Sequence, residues 1–136
     1  MNPYHRIKNT ISDFWYDFRC RCQRFKRGWA YSDVWDMDVW FMHTVKPMLT
    51  HLKDHGIGIP GEFCIGEDAN RIYWENTLTE MISCLELMDE NAVREYLGIS
   101  DSDYSFESYQ KARDLMEENK DRFFELFSKY FFCLWD

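Results

Sequence analysis

Apolar residues in this chain return every three or four positions over stretches of twenty or more residues, a period that suits helices and not strands. In the first stretch they are Ile7, Ile11, Phe14, Trp15, Phe18, Cys22 and Phe25. Asn2 offers an N-cap, Pro3 fits the first helical position where a missing N–H is no loss, and Gly28 supplies a stop. Such a stripe is the face a helix buries against its neighbours. The opposite face carries Arg19, Lys26 and Arg27, with Arg21 and Arg24 on the flanks.

Three further stretches repeat the pattern. One starts near Ser32 or Asp33, either of which can cap it, and runs to about His55 before Gly56. Its stripe is Met37, Phe41, Val45, Met48 and Leu52, and Pro47 is expected to kink it. The next begins after Asp68 and carries Tyr73, Trp74, Leu78, Met81, Ile82, Leu85 and Met88. The last is capped near Ser105 and repeats Phe106, Tyr109, Ala112, Met116, Phe123, Phe127, Tyr130, Phe131 and Leu134. A short extra helix is expected near 92–97, closed by Gly98. Long helices with short connections pack most simply side by side. The expected fold is therefore all-α: four long helices in an antiparallel bundle with the short fifth, forming a single domain over residues 1–136.

Charge is distributed unevenly along this frame. Residues 1–28 hold seven Lys/Arg against two acids, a balance of +5, and the remainder holds nine against 22, a balance of −13. An acidic body repels nucleic acid, so no direct nucleic-acid partner is expected. No apolar run is long enough to span a membrane, and the N-terminus lacks the pattern of a secretion signal. The five cysteines, Cys20, Cys22, Cys64, Cys84 and Cys133, are odd in number and irregularly spaced, which fits a reducing cytoplasm better than a disulfide framework. Cys20 and Cys22 point to different sides of a helix, and Cys22 reads as core.

No motif names a reaction. His51 and His55 have the i, i+4 spacing that lets two imidazoles share an ion, but Leu52 stands where a zinc protease needs Glu. No Glu-x-x-His pair exists for a di-iron bundle, so no metal or cofactor is expected. The glycines of Gly56-Ile57-Gly58-Ile59-Pro60-Gly61 lack a phosphate-loop Lys and follow no strand; they read as a chain reversal.

Two constellations remain as candidate binding sites. Asp33, Trp35, Asp36, Asp38 and Trp40 gather three carboxylates and two indoles where a helix begins. Acids there favour the helix dipole, which is the structural account. The same strip can recognise a basic partner, or lock the first loop to Arg27 and neighbouring helices, the role we expect for Trp35. Arg19, Arg21, Arg24, Lys26 and Arg27 can hold a small anionic ligand, or simply offset the acidic helices.

Several segments resemble a family of small proteins encoded by bacteriophages and prophages. They include Arg27-Gly28-Trp29-Ala30, Asp33-Val34-Trp35-Asp36-Met37-Asp38, Pro47-Met48-Leu49, Trp74-Glu75 and the closing Lys129-Tyr130-Phe131-Phe132-Cys133-Leu134-Trp135-Asp136. The resemblance runs over nearly the whole chain and implies expression in the cytoplasm of an infected bacterium, with no catalytic residue to carry over. The expected function is a non-enzymatic, phage-encoded protein that inhibits a host or anti-phage defence protein through its acidic surface. The alternatives are a protein that sequesters a nucleotide-type signal between the basic helix and buried tryptophans, and a structural component that works as a homo-oligomer.

Overall fold

The structure, a computed structural model, describes residues 3–63, 67–100 and 102–135, with the side chains of 13–62, 71–100 and 102–135. All regular structure among the described residues is helical. In chain order it comprises α1 (Pro3–Arg27), a 3₁₀ turn at Tyr31–Val34, α2 (Met37–His55), a 3₁₀ turn at Gly61–Phe63 and α3 (Glu67–Glu86). Then come α4 (Glu90–Tyr96), α5 (Phe106–Tyr130) and a closing 3₁₀ turn at Phe131–Cys133. The Asn2 cap, the stripe side chains of Ile7 and Ile11, and Cys64 lie outside the described residues. The fold divides into two compact units, Met1–Phe41 and Met42–Asp136, and the division falls inside α2.

In the first unit the chain leaves α1 through Gly28, whose φ of 79° a side chain would resist. The Gly28 N–H donates to the Arg24 carbonyl at 2.8 Å, and the segment after it folds back along one side of α1. Ala30 is buried there, Gln23 accepts the Tyr31 N–H at 3.0 Å, and the Ser32 hydroxyl lies 3.8 Å from the buried Cys20 sulfur. Cys20, not Cys22, is therefore the cysteine this turn covers; Cys22 is half-buried. The expected core stripe lies on the other side of the helix, about 120° from Cys20 for Phe14 and 140° or more for Phe18 and Phe25 at 100° per residue. Phe14, Trp15 and Phe18 are more than half exposed and Phe25 almost wholly so.

The second unit is built on α3 and α5. Trp74 meets Tyr130 edge to face at 5.4 Å, and Glu80 pairs with Arg122 at 2.6 Å, so residue numbers rise along one helix as they fall along the other. This antiparallel pair buries Trp74, Leu78, Met81 and Leu85 of α3 with Ala112, Phe123, Leu126 and Tyr130 of α5. Each large apolar side chain removed fully from water contributes about 1.5–3 kcal/mol, which makes this layer the main source of the unit's stability. On α5 the inward position near the C-terminus is Leu126, with Phe127 only half-buried. In α2 the buried positions are Met42 and Leu49, one register away from the expected stripe, and Met37 and Met48 are exposed. The helix continues through Pro47.

α4 is set by its ends. The Asp89 carboxylate caps it by accepting the Ala92 N–H at 3.0 Å, Val93 is fully buried, and Gly98 closes it at a φ of 65°. The Ile99 N–H then reaches the Arg94 carbonyl at 2.8 Å, the six-to-one bond of a Schellman ending. The connection to α5 is tied rather than loose. Arg94 donates to the carbonyls of Ser100 at 2.8 Å and Asp103 at 2.7 Å, and Ser105 caps α5 through the Ser108 N–H at 3.3 Å. No helix among the described residues is long and apolar enough to cross a membrane.

Candidate binding surfaces

The acidic strip does not form one helical face. Residues 31–34 wind as a 3₁₀ turn, and the α-helix begins only at Met37, with the Asp36 carbonyl accepting the Trp40 N–H at 2.9 Å. The five residues consequently separate in role. Asp33 turns inward: it accepts from Arg24 through a forked pair, with Nε at 3.0 Å, and from the Ala30 N–H at 2.8 Å. The Arg24 guanidinium first, then the Ala30 N–H, hold the Asp33 carboxyl down at about 2. The lock expected of Trp35 is thus made by Asp33.

Trp35 is 87% exposed, flanked by exposed Val34, Met37 and Val39. Asp36 and Asp38 are exposed and carry no ion pair among the described residues. Trp40 is half-buried. The result is an exposed indole on a turn, with exposed Asp36 and Asp38 and exposed Val34, Met37 and Val39 within a few residues of it. A large rigid aromatic with free charges beside it is the arrangement found at interface anchors.

The basic set also divides. Arg24 is committed to Asp33 and Ser32, and Arg27 lies over the Trp29 ring at 3.7 Å while its Nε donates to the Trp29 carbonyl at 3.0 Å. Arg19, Arg21 and Lys26 are exposed and carry no ion pair among the described residues. Among the described tryptophans Trp74 is the one that is buried, in the α3–α5 layer. His51 and His55 stack with ring centroids 4.5 Å apart, the His55 Nδ1 lying 3.3 Å from the His51 carbonyl. No cluster of three metal-ligating side chains occurs among the described residues.

Spacing alone did not reveal two grooves in the second unit. One, about 610 Å³, is lined by Val45, Met48, Leu52, Phe127, Leu134 and Trp135, where α2 faces the end of α5. The other, about 800 Å³, runs between α2 and α4 over Met42, Pro47, Leu85, Leu87, Ala92 and Tyr96. Its rim holds Glu86, Asp89 and Glu95 against His43 and Lys46, and Lys46 is itself paired with Glu86 at 2.7 Å. The only available signal was the misregistered stripe of α2, which left apolar residues unassigned on two sides of one helix.

No protein family, curated protein or solved structure matches the chain.

Proposed function

We propose that this chain is a non-enzymatic binding protein that engages a partner protein through the turn Val34-Trp35-Asp36-Met37-Asp38. The observation that carries the reading is Trp35: an indole left in water, next to two unpaired carboxylates, on a turn that Arg24 and Asp33 hold in shape. Exposed Val34, Met37 and Val39 near it in sequence make Trp35 part of a group of apolar side chains, and grouped rather than scattered exposure marks interaction sites. The carboxylates indicate a partner with a basic surface, such as the nucleic-acid groove of an enzyme, where carboxylates replace phosphates and block access. The resemblance to bacteriophage and prophage proteins suggests a host or anti-phage defence protein as the target, met in the cytoplasm of an infected cell. The antiparallel bundle expected of the long helices serves this reading as a scaffold, and the antiparallel α3–α5 pair supports it.

The test is capture from infected-cell extract, with thermal melting measured in parallel. Trp35→Ala and the double change Asp36→Asn with Asp38→Asn are expected to lose the captured partner while melting as the unaltered protein does. Asp33→Asn is expected to lower the melting temperature, because it breaks the Arg24 lock. Retained capture by both exposed-residue variants overturns the proposal.

A further inference from the structure

The connection between α4 and α5 is held by side-chain hydrogen bonds, yet it presents aromatic rings to water. Arg94 bonds the Ser100 and Asp103 carbonyls, and the Asp103 carboxylate accepts the Ser105 N–H at 2.9 Å and the Ser108 hydroxyl at 2.5 Å. Tyr104 lies between two of these anchored residues, and Phe106 and Tyr109 follow at the start of α5. All three rings are exposed. Exposed rings elsewhere lean on one another, as Phe14 does on Trp15 and Phe131 on Phe132. Tyr104, Phe106 and Tyr109 make no ring contact with another aromatic among the described residues. They line a cleft of about 590 Å³ within the second unit, whose remaining lining is Glu90, Asn91 and Arg94 of α4.

Charge decides what such a cleft takes. Arg94 donates to two carbonyls, and the Asp103 carboxyl, held at about 2 by the Ser108 hydroxyl, the Ser105 N–H and more weakly Arg94, stays ionised to offset it. Arg113, which bonds the Tyr109 hydroxyl, is paired with Glu117 at 3.4 Å, and Lys111 is paired with Glu107 at 2.7 Å. Glu90 is exposed and carries no ion pair among the described residues, which leaves it as the uncompensated charge of the lining. We propose that this cleft is a binding site for a trimethylammonium-type cation, held over the faces of Tyr104, Phe106 and Tyr109 with Glu90 supplying the opposite charge. A ring face is the negative end of an aromatic quadrupole and attracts a cation. A methylated ammonium has no N–H group to be left without an acceptor, and its methyl groups pack against the rings. A primary ammonium keeps three donors that ring faces do not satisfy, so it enters at greater cost. An anion meets both Glu90 and the negative ring faces. The same group is carried by free quaternary ammonium compounds and by trimethylated lysine side chains. The cleft shares no residue with the turn at 34–38, so its failure leaves the proposed function standing, and the reverse holds.

The test is an NMR titration of the full chain with choline and with 3,3-dimethylbutan-1-ol, a neutral molecule of the same shape. Choline is expected to bind about tenfold or more tightly than the neutral molecule. Its N-methyl protons are expected to move upfield, as protons over ring faces do, while the signals of Glu90, Tyr104, Phe106 and Tyr109 shift. Tyr104→Ala with Phe106→Ala is expected to weaken choline binding about tenfold. These rings are 88% and 80% exposed, so the melting temperature should stay at the unaltered value. Tyr104→Phe is expected to keep the affinity, because the face and not the hydroxyl makes the contact. Glu90→Gln is expected to weaken binding about threefold, and added salt to weaken it in the unaltered protein. A short peptide carrying trimethyl-lysine separates the two sources: tighter binding than choline assigns the group to a protein side chain, and weaker binding to a free small molecule. Equal binding of choline and the neutral molecule overturns the proposal. So does an absence of shifts at the cleft at every choline concentration, or a Tyr104 and Phe106 double variant that binds as the unaltered protein does.

Discussion

α1 and α5 are both 25 residues long, both are amphipathic, and both carry phenylalanines at helical spacing. Yet α5 buries Phe123, Leu126 and Tyr130 against α3, and α1 leaves Phe14, Phe18 and Phe25 in water. A hydrophobic stripe says that a helix has a face to cover; it does not say which molecule covers it. In α5 the cover is α3 of the same chain. In α1 the 3₁₀ turn takes the narrow side around Cys20, and the broad aromatic side is left available.

The comparison breaks most directly at its strongest point. Phe123→Ala removes a ring with 0% exposure and is expected to destabilise the protein by about 3–5 kcal/mol, read as a shift in the denaturant midpoint. If the α3–α5 layer were loosely packed, the loss would fall well below that. Next in size is Gly98→Ala, which forces a side chain into a φ of 65° at the end of α4; about 1–2 kcal/mol is expected, with α4 fraying first in amide exchange.

Acid sharpens the same contrast, because each unit includes a carboxylate held far below its ordinary range. Asp33 is held at about 2 by Arg24, and Asp103 at about 2 by the Ser108 hydroxyl and the Ser105 N–H. A depressed carboxyl contributes stability above its unfolded value of 3.8, and that contribution is lost as pH falls from there through about 2. Carboxyl titration by NMR is expected to give both groups midpoints near the lower figure, with Arg24→Ala returning Asp33 alone towards the ordinary one. The smallest effect is expected from Phe25→Ala: at 93% exposure it should alter monomer stability by no more than about 0.5 kcal/mol. A larger loss would mean that the ring is covered in the folded chain.

Features written into neighbouring residues were legible in the sequence. Ser105 as a cap, Gly98 as a terminator and the short fourth helix needed only residues a few positions apart, and spacing captures those relations. The start of α2 was not legible. Asp33 looked like a helix cap, but its carboxylate is claimed by Arg24 nine residues earlier, so residues 31–34 wind more tightly and the helix waits until Met37. The same distant partnership moved the locking role from Trp35 to Asp33 and left the indole outside. The choice between Cys20 and Cys22, or between Leu126 and Phe127, depends on which neighbour lies across the helix, and no period within one helix contains that. The α2–α4 groove was invisible for the same reason: it belongs to the spacing between elements.

The placement of the indoles has an optical consequence. Trp15, Trp29, Trp35 and Trp135 are exposed and Trp40 is half-buried, while Trp74 sits in the α3–α5 layer beside Tyr130. Most of the intrinsic fluorescence therefore comes from rings that already see water in the folded state. Their emission has little further to move when the chain melts, and much further to move, towards the blue, when a surface closes over them. In this protein tryptophan emission is a gauge of occupancy, and a poor gauge of unfolding.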